Sequence, residues 1–247
     1  MLKINWQTFL GLVFISISVA LYGLHYTIFH DLHHIILYLV GDLAFLPIEV
    51  LLVTVLIHEL LNQREKKVRL EKTTMVIGAF FSELGFHLLK TFAAIDTGIE
   101  TIKEKMQIST SWTDQDFKNG IEAFASHDYS IDINQTNISD MKDFLLSKRD
   151  FTLRLIENPT ILEHEIFTDL LWAVFHLTEE LMLRETLTSL PKTDYKHLEV
   201  DIKRAYINLG IQWLMYMKYL QKSYPYLFSL SVRTNPLNSR ASAIVME

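Results

Sequence analysis

Apolar residues run almost unbroken from Thr8 to Phe29 and again from Ile35 to Ile57; beyond residue 58 they fall at helical spacing among charges. Each of the first two runs is long enough, at about 1.5 Å rise per residue, to cross the roughly 30 Å of hydrocarbon in a bilayer. Only "HDLHH" separates them, which predicts a tight antiparallel transmembrane hairpin. The segment ahead of the first run offers Lys3 as its one basic side chain and is followed by no small-x-small cleavage site, which argues for a retained span over a removed leader. Arg64, Lys66, Lys67, Arg69 and Lys72 follow the second run, whereas the connecting loop carries no Lys or Arg. The positive-inside rule then places both termini in the cytoplasm, across an inner or plasma membrane, with the His-rich tip outside.

A third apolar stretch, Met75 to Ile95, contains Glu83, His87 and Lys90. A charged side chain at mid-bilayer costs on the order of 2 to 3.5 kcal/mol, so this stretch is expected to be a core helix of a cytoplasmic domain. Gly78 and Gly85 would let a partner helix approach one of its faces. The organisation expected is a hairpin over residues 1–57 with spans at about 8–29 and 35–57, a juxtamembrane helix over 58–74, a helical bundle over 75–234 and a loose tail over 235–247. Within the bundle, Thr113 with Asp116, Asn137 with Asp140 and Thr160 with Glu163 have capping-box spacing ahead of amphipathic runs. Pro191 and Thr193 open a last long helix from Asp194 to about Ser223, ended by Pro225. "DYSIDIN", Asp128 to Asn134, looks extended but is expected to be a loop. The fold class expected is all-α.

Two carboxylates interrupt the second apolar run. If the hairpin turns over residues 30 to 34, Asp42 lies level with Tyr22 and near His25, and Glu49 lies about two turns deeper, level with Ile15 to Ser18. Gly11, Ser18 and His25 recur every seven residues, giving the first span a small, polar face on which the second could seat. Asp42, Glu49, Tyr22, His25 and Ser18 are thus expected to form an intramembrane polar network, with Pro47 kinking the helix between the acids. The same acids could instead line a proton or cation path in an oligomer.

Charge and composition narrow the function classes. A formal net charge of -6 without a basic tract excludes nucleic acid as a natural partner, and 49% hydrophobic residues with a mean hydropathy of +0.17 suits a protein partly in lipid. The absence of cysteine removes disulfides, thiolate metal sites and a cysteine nucleophile together. No phosphate loop, nucleotide fingerprint or serine triad order is present.

Two groups could hold a metal. His30, His33 and His34 with Asp31 cluster at the outer tip, where imidazoles also suit an interface simply as amphipathic groups. In the bundle, Glu83 and His87 stand i, i+4, as do His176 and Glu180, and helices facing one another could bring these four onto one ion. Glu165, Asp169, His176 and Glu180 form a polar stripe on one helix; His197, Asp201, Arg204 and Asn208 form another on the last. A packing network or a solvated face explains the stripes equally well, and the Glu-x-x-His signature of di-metal bundles is missing, so no cofactor is expected. Asn134 and Asn137 sit in glycosylation sequons that would be inert in the cytoplasm.

The segments "GDLAFLPIEVLLVTVLIHELL", "DLLWAVFHLTEEL" and "YPYLFSLSVRTNP" resemble those of an uncharacterised family of prokaryotic two-span membrane proteins. That resemblance implies an N-terminal hairpin with a helical cytoplasmic part and carries no activity, ligand or functional residue. The function expected is a membrane-anchored sensor, scaffold or regulatory interaction protein, not an enzyme, pairing with its own copies through a seam at Leu60, Leu61, Val68 and Leu70. An oligomeric ion or proton conductor and a membrane-anchored metal-carboxylate enzyme are the competing expectations.

Overall fold

The computed structural model describes residues 6–133, 138–238 and 240–245, with Lys67 and Leu70 described through their backbone alone. Asn134 and Asn137, and with them the sequons and the cap expected at Asn137, lie outside the described residues. The chain divides into two compact units, Met1–Lys66 and Lys67–Glu247.

In the first unit, α1 (Trp6–Phe29) is followed by α2, which starts at Leu32 and continues to Phe80. His30 turns the chain in the left-handed region, at φ 49°. Asp31 then stabilises the start of α2, its Oδ1 accepting the His34 backbone N–H at 3.0 Å. Such a carboxylate satisfies one of the donors that a helix N-terminus leaves unpaired. Apart from the half-buried His25 and Ile35, every described residue from 6 to 66 is exposed, Leu21 and Leu37 by 60% and 62%. Leu60, Leu61 and Val68 of the expected seam are uncovered too, and the Leu70 side chain lies outside the described residues.

Among the described residues the regular elements of the second unit are all helices, with one isolated bridge between Asp96 and Ile131 in place of a strand. The end of α2 supplies Ile77 and Phe80 to the core. A π-turn at Phe81–Gly85 then leads into α3 (Phe86–Ile95). Buried positions recur here as Phe80 and Phe81, Leu84 and Gly85, Leu88 and Leu89, a spacing of four against which a 3.6-residue turn would drift. The wider turn absorbs part of that drift and keeps the pairs facing inward. Residues 75–95 therefore form part of the bundle core. Gly78 receives Tyr216 of the last long helix, whereas Gly85 faces its own neighbour Phe81, so the close approach expected at both glycines occurs at one.

Short α4 (Glu100–Lys103) leads to α5 (Asp114–Ala125), whose start is the capping box read from the sequence: Thr113 Oγ1 accepts the Asp116 N–H, and Asp116 Oδ2 accepts the Thr113 N–H at 2.7 Å. That exchange holds the Asp116 carboxyl below its ordinary value, the Thr113 backbone being the larger cause. The run "MKDFLLSKRDFTLRLI" forms two helices, α6 (Ile138–Ser147) and α7 (Arg149–Ile156), broken at Lys148. Asn158, not Thr160, provides the next cap. It opens the single turn α8 (Pro159–Leu162), and His164 Nδ1 caps α9 (Glu165–Met182) by accepting the Phe167 N–H at 3.2 Å.

Helix α10 (Lys192–Ser223) is the axis of the unit, flanked by α9, α5, α3 and α11 (Pro225–Arg233). Its fully buried Tyr206, Leu209, Trp213 and Met217 are the natural result of apolar side chains returning every three to four residues on a surrounded helix. Pro225 ends α10 as expected but also opens α11, because proline at N1 lacks only an N–H that the helix start would leave unpaired. The tail expected from residue 235 begins inside the structure: Asn235 and Leu237 are buried, with Asn235 Nδ2 donating to the Met106 carbonyl at 2.8 Å.

The loop over Asp128 to Ile133 is secured by a side chain the sequence did not single out. Asp96, fully buried, accepts the N–H groups of Gly98 and Ser130 at 3.0 and 3.1 Å and pairs with His127 Nε2 at 2.9 Å.

Candidate functional site

Helices α9 and α10 are consecutive and antiparallel, and each presents an imidazole and a carboxylate four residues apart on its facing side. An i, i+4 pair lies on one face of a helix, one turn above the other. His176 lies level with Asp201 and Glu180 with His197, so the two pairs meet crosswise. His176 Nε2 stands 3.4 Å from Asp201 Oδ2 and 3.8 Å from Glu180 Oε1; His197 Nε2 stands 3.3 Å from the same Asp201 Oδ2 and 3.6 Å from Glu180 Oε2. One donor atom from each residue lies within 4.8 Å of all the others, and among the described residues no second group of His, Asp and Glu does so.

The surroundings grip the carboxylates from outside. Arg204 donates to Asp201 Oδ1 at 2.9 Å, while Arg184 donates to Glu180 Oε2 at 2.7 Å and engages both oxygens of Asp194. The Arg184 guanidinium holds the carboxyls of Glu180 and Asp194 below their ordinary values, in each case chiefly by its hydrogen bond. Glu180 is thereby kept ionised. Asp201 is buried to 2% exposure, and its Oδ2 has no hydrogen-bond partner. The imidazoles are about half exposed, and a groove of about 410 Å³ bordered by Asp169, Trp172, Arg204 and Asn208 opens beside His176.

The expected site residues distribute as follows. Glu83 and His87 do not join His176 and Glu180. Glu83 instead pairs with Lys148 at 2.8 Å, and His87 packs on the Phe144 ring at 4.0 Å, because their face of the helix looks toward α6 and α7. The place assigned to them is taken by His197 and Asp201. Glu165 is exposed on the first turn of α9, and Asp169 borders the groove.

At the tip, the His25 and His34 rings stack at 5.6 Å, His30 packs on Tyr26, and His34 on Tyr38. His30, His33 and His34 do not converge, since adjacent residues of a helix point about 100° apart and His30 lies in the turn. Ser18, Tyr22 and His25 line a groove of about 510 Å³ with His34 and Tyr38. Asp42 and Glu49 lie outside it, exposed and without hydrogen bond or ion pair among the described residues. Away from His25 the small face of α1 is open among the described residues: nothing lies within 4 Å of a side chain added at Gly11, and Ser16 turns back to its own Leu12 carbonyl at 2.8 Å. The expected polar network of Asp42 and Glu49 with Tyr22, His25 and Ser18 is therefore not assembled within this unit.

His197 and Asp201, read from the sequence as members of a polar stripe, were not expected to join His176 and Glu180 at one site. The signal was present as two His/carboxylate pairs of equal spacing, His176-x-x-x-Glu180 and His197-x-x-x-Asp201, flanking a short connection between consecutive helices.

Residues 69–233 match a family described as uncharacterized protein MJ1433, C-terminal helical domain, and residues 2–61 match its N-terminal helical domain. The chain belongs to the MJ1433 family. Uncharacterized protein MJ1433 of Methanocaldococcus jannaschii is 42% identical over 240 residues, covering 97% of this chain and 96% of that protein. The two matched segments fall on either side of the division between the units at Lys66 and Lys67. No solved structure matches this chain.

Proposed function

We propose that this member of the MJ1433 family is an integral protein of the inner or plasma membrane whose helical second unit acts in the cytoplasm as a sensor or regulatory interaction module. The observation that carries this reading is the bareness of the first unit. Two helices of apolar composition leave their large side chains exposed on every face, with no core of their own. Apolar surface of that extent is not left in water by a stable protein; hydrocarbon covers it at no cost, and helices satisfy their backbone groups internally. Helix α2 carries the chain from that unit into the second, where its last residues are core. The uncovered Leu60, Leu61 and Val68 suit pairing with a second copy.

The absence of cysteine makes the test clean. Full-length variants Asp31→Cys and Ser126→Cys are expressed in cells and exposed to a maleimide that does not cross membranes. The reading requires the protein to stay with membranes after alkaline carbonate washing, Asp31→Cys to label in intact cells, and Ser126→Cys to label only after lysis. Release by carbonate, or labelling of Ser126→Cys from outside, overturns it.

A further inference from the structure

We propose that His176, Glu180, His197 and Asp201 are the ligands of one divalent transition-metal ion, zinc by geometry. All four residues lie in the second unit, so the site stands whether or not the first unit spans a membrane; if it does, the ion is what the sensing unit binds.

Distances support this first. Donor atoms at about 2.0 to 2.1 Å from a tetrahedral ion stand about 3.4 Å from one another. Both imidazole nitrogens stand 3.3 and 3.4 Å from the one Asp201 Oδ2, close to an edge of that tetrahedron; the Glu180 oxygens stand 3.6 Å (Oε2) and 3.8 Å (Oε1) from them, and one donor atom of each of the four residues lies within 4.8 Å of the others. Ordinary hydrogen bonds would be near 2.9 Å.

The second support is Asp201. A buried carboxylate oxygen without a partner carries the full desolvation cost of an unmade hydrogen bond. A network built to fasten α9 to α10 would direct an imidazole N–H at Oδ2. Instead both His176 and His197 approach that oxygen and neither makes the bond. Arg204 secures the other oxygen of Asp201, and Arg184 holds Glu180, the kind of outer support that orients ligating carboxylates. The atoms the arginines leave are two imidazole nitrogens, Asp201 Oδ2 and Glu180 Oε1, an arrangement that two mirrored i, i+4 pairs produce across an antiparallel hairpin.

The donor set selects the ion. Two imidazoles disfavour calcium and magnesium, which take six or more oxygen ligands or keep much of their water; imidazole with carboxylate in a tetrahedral shell suits zinc. Two carboxylates balance the divalent charge. Four protein ligands fill the shell, which fits a bound or sensed ion better than a catalytic one needing an open position.

The test uses the full chain in detergent, stripped with a chelator and titrated with zinc, with magnesium as the control ion and cobalt as a reporter of tetrahedral coordination. One zinc per chain is expected, with affinity at least about tenfold weaker in Asp201→Asn and in His197→Gln. His87→Gln and the tip variant His33→Gln/His34→Gln should bind as the parent does, and the tetrahedral cobalt spectrum should be lost with Asp201→Asn. Far-ultraviolet circular dichroism of the metal-free variants reports whether they fold. If Asp201→Asn does not, His197→Gln, half-exposed in the structure, carries the comparison. Binding of less than about a tenth of an equivalent, undiminished binding in the folded site variants, or loss confined to the tip variant overturns the assignment. None of these results bears on membrane placement, which the maleimide experiment decides separately.

Discussion

Replacing Gly210 by alanine sets two effects of opposite sign against each other. Gly210 lies inside α10, where alanine is favoured over glycine by about 1 kcal/mol because the unfolded chain loses less entropy on folding. By that measure alone the substitution stabilises. In the structure, however, an added methyl would fall within the ring of Phe124 on α5. Phe124 is fully buried and cannot step aside: Tyr206 meets its ring edge-on at 5.4 Å and Tyr129 at 5.6 Å. Overpacking of a rigid core site costs about 1 to 3 kcal/mol, and the full overlap here belongs at or beyond the upper end. Subtracting the helix gain leaves a net loss of about 2 kcal/mol, which in a domain of this size lowers the melting temperature by roughly 4 to 8 °C. Thermal unfolding of the full chain in detergent, followed by circular dichroism at 222 nm, measures it. Adding Phe124→Leu to Gly210→Ala should cost much less than the two single losses combined, because the leucine vacates the space the methyl needs. A melting temperature equal to or above that of the parent for Gly210→Ala would refute the reasoning, since helix propensity would then have outweighed the contact.

Three further outcomes follow from buried and half-buried polar groups. Asp96→Ala leaves two backbone N–H groups and His127 without their acceptor and should cost about 3 to 5 kcal/mol, read by urea denaturation. Tyr206 and Tyr129 are held above the ordinary tyrosine range, burial being the largest cause for both, followed for Tyr129 by the neighbouring Tyr206 and then Asp96. Their protonated forms persist in the folded chain above pH 10, where an unfolded tyrosine ionises. The unfolded state then binds fewer protons, so stability is intact below about pH 10 and falls as pH rises past it. Tyr206→Phe removes a hydroxyl with no partner; it should leave stability at neutral pH unchanged or raised and flatten the alkaline decline, measured by denaturation between pH 8 and 11. Arg184→Lys should lower the melting temperature, because one ammonium cannot reproduce the fork that joins Glu180 and Asp194, and Arg184→Met should lower it further.

What was legible in the sequence was local. The two apolar runs, the capping box at Thr113, the span of α10 and the core position of residues 75–95 all follow from periodicity and the needs of helix ends, which act within a few residues. Even there, neighbours intervened: Lys148 splits one expected helix into α6 and α7, and Asn158 with His164 divides another start into two. Composition also determined that the first unit is apolar on all faces, because no arrangement of two such helices can hide that surface.

Tertiary structure alone decided which polar residues meet. Each His/carboxylate pair was visible as a turn of helix, but Glu83 with His87 had the same appearance as His197 with Asp201. The difference arises from the register of α9 against α10, two helices that pack together and bury Leu177 and Leu181 of one and Leu198 and Ile202 of the other in a common core. A shift of one residue along either helix would rotate its pair by about 100° and disperse the four donors. Register is a property of the whole packed interface, so it cannot be read from the spacing of any four residues.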